Sequence, residues 1–276
     1  MKNSLFLFVT IGLSIIFNSC EKVDAPYEKD PQACRGTRKV LVEDFTGHKC
    51  GNCPRATKNI YNIKKTLCDE RIIVMSIHAG FFASTNLPPY TYDFKCDVGD
   101  TIDQDFGVSA VGNPNGMVNR KKVNGSYIIS STQWGSEVAK IIADTSTYPI
   151  SFDIQTILNG ASGELATDVR INLDTNLVEP HRLCVYLVED SIINYQKDYD
   201  TTPEDVPDYV HRDVLRGSMN GAYGTRISNS AVGGTVFYGF EKTLDPSWNF
   251  SEMSVIVFLF NETTKEILQV EQKPLE

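Results

Sequence analysis

The chain reads as an α/β domain followed by an all-β sandwich, and three observations predict this. Cys50-Gly-Asn-Cys53 follows directly on the apolar run Val40-Leu-Val-Glu-Asp-Phe45. This sets two cysteines where a buried strand turns into a helix. Between the strand-like runs of the first half, apolar residues recur at helical spacing. Near Tyr148-Pro149 the pattern changes to period two, with turn residues between the strands and no helical stripe.

Residues 1–19 read as a lipoprotein signal peptide. Lys2 supplies the positive start, Leu5 to Phe17 is an apolar stretch of thirteen residues, and Ser19 is small. Such a stretch is shorter than the ~20 apolar residues a bilayer span needs. Cys20 comes next, so the segment resembles a bacterial lipoprotein leader, in which that cysteine carries the lipid. Residues 20–36 are charged and punctuated by prolines, as a tether would be. The expected partner at this end is therefore a membrane, reached through the N-terminal lipid. Without the leader, 25 basic residues face 35 acidic ones, a net charge of −10. An acidic body without a basic cluster argues against nucleic acid as a partner.

In the first domain, 37–147, Val40–Phe45 is a strand. Residues 54–67 form a helix, with Ala56, Ile60, Ile63 and Leu67 on one face and Arg55, Lys58, Asn62 and Lys65 on the other. The run Arg71–Ile77 is continuously apolar, as in a central parallel strand. Residues 80–95 look like an insertion at the active-site end of the sheet. A helix over Val98–Phe106 leads into a proline loop ending at Pro114. Gly116–Val123 and Ser126–Ser130 flank Asn124-Gly125, a hairpin signal. Residues 132–144 carry Trp134, Val138, Ile141 and Ile142 on a helical stripe.

In the second domain, 148–276, strands are expected at Ile150–Leu158, Glu164–Leu173, Leu183–Val188, Val236–Thr243 and Met253–Phe260. Glu266–Val270 pairs with the last of these across a turn. The stretch 198–234 is polar and rich in Gly, Pro and Asn, and reads as a long functional loop.

The cysteines carry the chemistry. Setting Cys20 aside leaves six of the seven, an even number that suits an oxidising compartment. Pro54 has no N–H to donate, so a helix holding it must start close by, leaving Cys50 at the positive helix end. There a thiolate is stabilised, which makes Cys50 the attacking thiol and Cys53 the resolving one. Lys49 would favour the thiolate further, while His48 reads as a solvated loop residue and His78 as a structural one on the same rim. Four cysteines allow three pairings. Cys34 and Cys68 should both lie at the sheet end opposite the redox pair, so a structural disulfide is expected between them. No cofactor or metal is called for. Haem attachment needs His after the second cysteine, where Pro54 stands, and a zinc site needs a second ligand pair.

Asp44, six residues before Cys50, and the loop Phe106-Gly-Val-Ser-Ala-Val-Gly-Asn-Pro114 resemble the buried acid and the cis-proline loop of thioredoxin-like proteins. The resemblance implies that Asp44 moves the proton of Cys53 and that Pro114 faces the disulfide and shapes the substrate groove. Asn113 before the proline departs from the usual pattern. Further on come Cys184-Val-Tyr-Leu-Val-Glu-Asp-Ser-Ile-Ile-Asn-Tyr-Gln196 and Tyr209-Val-His-Arg-Asp-Val-Leu-Arg216. With the leader and Thr46–Pro54, these resemble the Omp28-related outer-membrane lipoproteins of Bacteroidetes. That resemblance implies an α/β thioredoxin-like domain followed by an all-β Ig-like sandwich domain, anchored in the outer membrane on either face. Glu189, Asp190, Gln196, His211, Arg212 and Arg216 would line a recognition site, or else pair to hold the long loop. Two functions follow as expectations. One is a lipid-anchored thiol–disulfide oxidoreductase acting on protein thiols or disulfides. The other is a surface binding protein or adhesin that uses the sandwich, with the first domain as scaffold.

Overall fold

The computed structural model describes residues 34–227 and 233–276. Cys20 and the signal-peptide reading lie outside the described residues. Fourteen strands and four α-helices follow in order: β1 (Val40–Thr46), α1 (Cys53–Thr66), β2 (Ile72–His78), α2 (Asp97–Phe106), α3 (Val108–Val111), β3 (Asn115–Val118), β4 (Ile129–Ser130), α4 (Trp134–Ile142), β5 (Ile150–Asn159), β6 (Glu164–Leu173), β7 (His181–Glu189), β8 (Ile192–Lys197), β9 (Asp205–His211), β10 (Val214–Ser218), β11 (Thr225–Arg226), β12 (Gly234–Thr243), β13 (Met253–Asn261) and β14 (Ile267–Pro274). Among the described residues no helix is long and apolar enough to cross a membrane.

β1 and β2 are buried along their whole length and run parallel in register, Val40 against Ile72. Alternation sends Leu41 and Phe45 to one face of β1 and Val40 and Val42 to the other. The second face is covered by Ala56 and Ile60 of α1 and by Trp134, Val138, Ile141 and Ile142 of α4. β3 runs antiparallel to β1 on its other side, and β4 follows β3. At the intervening turn Asn124 and Gly125 have φ of 51° and 87°, the left-handed pair that a tight hairpin demands.

The expectation of an α/β thioredoxin-like domain followed by a separate Ig-like sandwich does not hold. One mixed nine-stranded sheet, in the order β14-β13-β7-β10-β2-β1-β3-β4 with β11 on β7, takes strands from both halves of the chain. Among the described residues no separate thioredoxin-like α/β domain is evident. The cause is β10, from the stretch read as loop. It docks on β2 with Val214 opposite Ser76, and Ser76 N donates to Asp213 O at 2.8 Å. This edge would otherwise leave buried backbone groups unpaired. The far end of the sheet returns as well, since Ile267 N donates to Asn119 O at 2.8 Å. Leu41, Met75 and Ile77 thus share one core with Tyr186, Phe258 and Val270.

A three-stranded sheet, β12-β6-β5, packs Val169, Ile171 and Leu173 on Leu183, Val185, Val255 and Val257 of the large sheet. The hairpin β8–β9 forms a small sheet of its own. Glu43 and Arg120, both fully buried, form a bidentate pair at 2.6 and 2.8 Å. The guanidinium lies among the rings of Phe106, Phe258 and Phe260.

Candidate functional site

The site sits where β1 ends. Thr46 is the last residue of the strand, and four residues on, Cys50 N donates to Gly47 O at 2.9 Å. α1 starts at Cys53 with Pro54 in its first turn, where a missing N–H costs nothing. Cys50 and Cys53 are joined as a disulfide across the helix N-terminus. By alternation Val42, Asp44 and Thr46 face α1. Val42 packs in the cluster of Ala56 and Ile60, and Thr46 lines a cavity of about 10 Å³ with Cys53, Ser76, His78, Gln196 and His211, room for about one water. Asp44 stands between them, 1% exposed, and its Oδ1 has no hydrogen-bond partner among the described residues. Burial pushes its carboxyl from the ordinary 3.8 up to about 7.

Pro114 follows a cis peptide bond from Asn113. It lies just before β3, where Asn115 pairs with Phe45, and Asn113 Nδ2 donates to Thr46 O at 3.2 Å. The β1–β3 pairing thus brings the proline to the same sheet end as the disulfide.

Both cysteines are covered: Cys50 is 2% exposed and Cys53 1%. The cover is the β8–β9 hairpin. Lys197 N donates to His48 O at 2.8 Å and Tyr199 N to Gly51 O at 2.9 Å. Gln196 Nε2 donates to Cys50 O at 3.1 Å. Asp200 pairs with Arg55 at 2.5 Å and Asp198 with Lys58 at 3.7 Å. The insertion 80–95 closes the other side, with Lys49 N donating to Phe82 O at 3.0 Å.

His48 is not solvated. It is 1% exposed, with Nε2 3.1 Å from Ser84 O. Together with His78 and His211 it surrounds Phe94, at ring distances of 5.6, 4.4 and 4.3 Å. Burial depresses all three imidazoles, His211 to about 4 and His78 well below the ordinary range. They stay neutral near neutrality and act as packing. Lys49 is also buried, donating to Asn86 Oδ1 at 3.0 Å.

His211 and Arg212 line the same cavity as Cys53, so the two sequence motifs converge. Arg212 pairs with Asp190 at 3.1 Å and Arg216 with Glu189 at 3.1 Å. These pairs hold the ends of the hairpin. Cys34 and Cys68 are joined at the opposite end of α1. Cys96 and Cys184 are free thiols. Burial pushes them up to about 11 and about 12, so neither supplies a thiolate near neutrality. Among the described residues no group of metal-ligating side chains is placed to hold an ion.

Asp198, Tyr199 and Asp200 went unnoticed in the sequence. Their signal was electrostatic: an acidic run late in the chain against Arg55 and Lys58 on the outer face of α1.

A model of the family described as outer membrane protein Omp28 matches residues 99–276, downstream of Cys50 and Cys53. HBP35 of Porphyromonas gingivalis is similar in fold, with a TM-score of 0.67 at 19% identity over 87% of this chain and 76% of that one. A domain of the outer membrane lipoprotein Omp28 from Porphyromonas gingivalis matches with a TM-score of 0.34 at 18% identity, over 47% of this chain and 89% of that one. No curated protein matches the chain.

Proposed function

The chain belongs to the Omp28 family of outer-membrane proteins, and from that premise we propose a lipid-anchored envelope protein whose Cys50–Cys53 pair exchanges disulfides with other envelope proteins. The observation that carries this reading is the disulfide at the N-terminus of α1, which follows a strand whose buried Asp44 has no partner for Oδ1 among the described residues. Lipidation at Cys20 would hold the body at the membrane.

The exchange follows from these groups. A thiolate of the partner attacks Sγ of Cys50, and the bond to Cys53 breaks. Cys53 leaves as a thiolate and takes a proton from the neutral Asp44 carboxyl. The partner's second cysteine, as a thiolate, attacks the partner sulfur of the mixed disulfide and Cys50 leaves as a thiolate. The two protons the partner's thiols gave up to solvent reprotonate Cys50 and Asp44. The partner gains a disulfide, and its two electrons end in the Cys50 and Cys53 thiols. The helix N-terminus stabilises the Cys50 thiolate as it leaves. In reverse, the Asp44 carboxylate takes the proton of Cys53 so that its thiolate can resolve a mixed disulfide at Cys50. A carboxyl at about 7 can give and take a proton near neutrality.

The test is a mixed-disulfide trap. Cys53→Ala is expressed in the native envelope, quenched with acid and run on non-reducing gels. Adducts that vanish when Cys50 is also replaced by Ala support exchange. An empty lane, with the protein folded and Cys50 a free thiol, moves the reading to a binding protein.

A further inference from the structure

The hairpin that covers the disulfide does so in a particular way. The segment 196–200 crosses the loop 47–51 and donates two backbone N–H groups to the carbonyls of His48 and Gly51. Added strands are held by this kind of main-chain contact. The Tyr199 ring lies directly on Gly51, where a Cβ would come within 2.5 Å of it. Only glycine there admits the ring. Asp198 and Asp200 then reach Lys58 and Arg55 on the outer face of α1.

Two features make this an occupied site and not a fixed part of the core. The first is that, among the described residues, β8 and β9 pair only with each other, outside both larger sheets. The Arg55–Asp200 pair is largely exposed, at 62% and 42%, and Tyr199 is 52% exposed. Exposed pairs of this kind contribute little, because water and salt screen them. The base is anchored instead, by buried His211 and by the Arg216–Glu189 pair. At the tip Gln196 and Asp198 are buried, 2% and 3% exposed, so lifting the tip uncovers them while the base stays.

The second feature is charge. A groove of about 750 Å³ lies between α1 and β9, lined by Lys58, Lys65 and Arg212 beside Tyr61 and Tyr209. Lys58 is paired with Asp198 of the tip and Arg212 with Asp190. The protein as a whole carries −9. When the tip leaves, Arg55 and Lys58 lose Asp200 and Asp198, and a basic strip so uncovered on an acidic molecule favours an acidic replacement.

We propose that the tip of the β8–β9 hairpin is a tethered occupant of the exchange site, displaced by an extended partner segment that carries acidic residues as Asp198-Tyr199-Asp200 does. This rests on the exchange reading above and names both the gate and the class of substrate.

The gate is tested on the oxidised full-length protein. Opening of Cys50–Cys53 by dithiothreitol is followed by alkylation and mass spectrometry, with alkylation of the buried free thiol Cys184 as an internal clock for unfolding. In Tyr199→Ala and in Asp198→Asn/Asp200→Asn, Cys50–Cys53 should open about tenfold faster, a change of about 1.4 kcal/mol in the barrier, with the clock unchanged. Arg55→Ala loosens the same contact from the helix side if a tip variant fails to fold. Wild-type rates in all folded variants would overturn the gate.

The substrate class is tested on Cys53→Ala with symmetric disulfide-linked peptides, one flanked by Asp and one by Lys. Cys50 attacks the peptide disulfide, forming a mixed disulfide and releasing one peptide thiol. The acidic peptide should react about tenfold faster, and Lys58→Ala/Lys65→Ala should erase that preference. Equal or inverted rates would overturn the acidic partner. Faster opening in the tip variants with no adduct from either peptide would overturn the exchange reading, and the partner with it. Ready peptide exchange with unaltered opening rates would overturn the gate alone.

Discussion

Replacing Asp44 with Asn should stabilise the protein, by an amount that grows with pH. The carboxyl is 1% exposed and pushed by burial from 3.8 to about 7. Between those values the folded chain holds a proton that the unfolded chain has released. Its stability therefore falls as pH rises through that window, at about 1.4 kcal/mol per pH unit. Below 3.8 both states hold the proton, and above about 7 both have released it, so the loss is then complete. Its full extent is roughly 4 kcal/mol, and Asn, which does not titrate, avoids it. Urea unfolding of the oxidised wild type and Asp44→Asn should show a gap of about 1.5 kcal/mol at pH 5, widening to roughly 4 at pH 8. A gap that stays flat from pH 5 to pH 8, or a less stable variant at pH 8, would refute the reasoning about this carboxyl.

Two other outcomes are expected. Glu43→Gln leaves a buried guanidinium without its anion, so it should cost about 3–5 kcal/mol in urea unfolding; a loss below about 1 kcal/mol would show that the pair is dispensable. His211 is held neutral, at about 4 in the fold. Its unfolded form takes up a proton as pH falls below 6.5, so its contribution is full above 6.5 and lost toward 4. The stability advantage of wild type over His211→Gln should therefore shrink by about 1.4 kcal/mol per pH unit on acidification through that window; a constant advantage would contradict its burial as a neutral ring.

Much of the local structure was legible because it rests on side-chain period. The helical stripe Trp134, Val138, Ile141 and Ile142 is buried as a set, and Glu164–Leu173 is a strand with the expected bounds. Period says nothing about which sheet a strand joins. Val214 and Leu215 give β10 only a two-residue apolar signal, yet backbone pairing carries it to β2 and merges the two halves into one sheet.

The site divides the same way. Cys50 and Cys53 were placed at a strand–helix junction by their spacing and by Pro54, and they are joined there; Asp44 was singled out only by its resemblance to the buried acid of thioredoxin-like proteins. The cover was not, because Gln196, Lys197 and Tyr199 attach through hydrogen bonds to backbone carbonyls, which leave no apolar pattern. His48 looked solvated because Phe94 and Tyr90, which bury it, come from an insertion with no regular period.

The most direct test of the exchange claim is a stoichiometric reaction in solution. Purified oxidised protein is mixed with one equivalent of a reduced dithiol peptide flanked by Asp, and both are alkylated and weighed. The account predicts that the peptide becomes a disulfide as Cys50 and Cys53 become thiols in equal amount, while Cys34–Cys68 stays closed. A peptide that remains reduced with oxidised protein, together with an oxidised peptide left intact by the reduced protein, even for Tyr199→Ala, would contradict it and leave Cys50–Cys53 a structural bond.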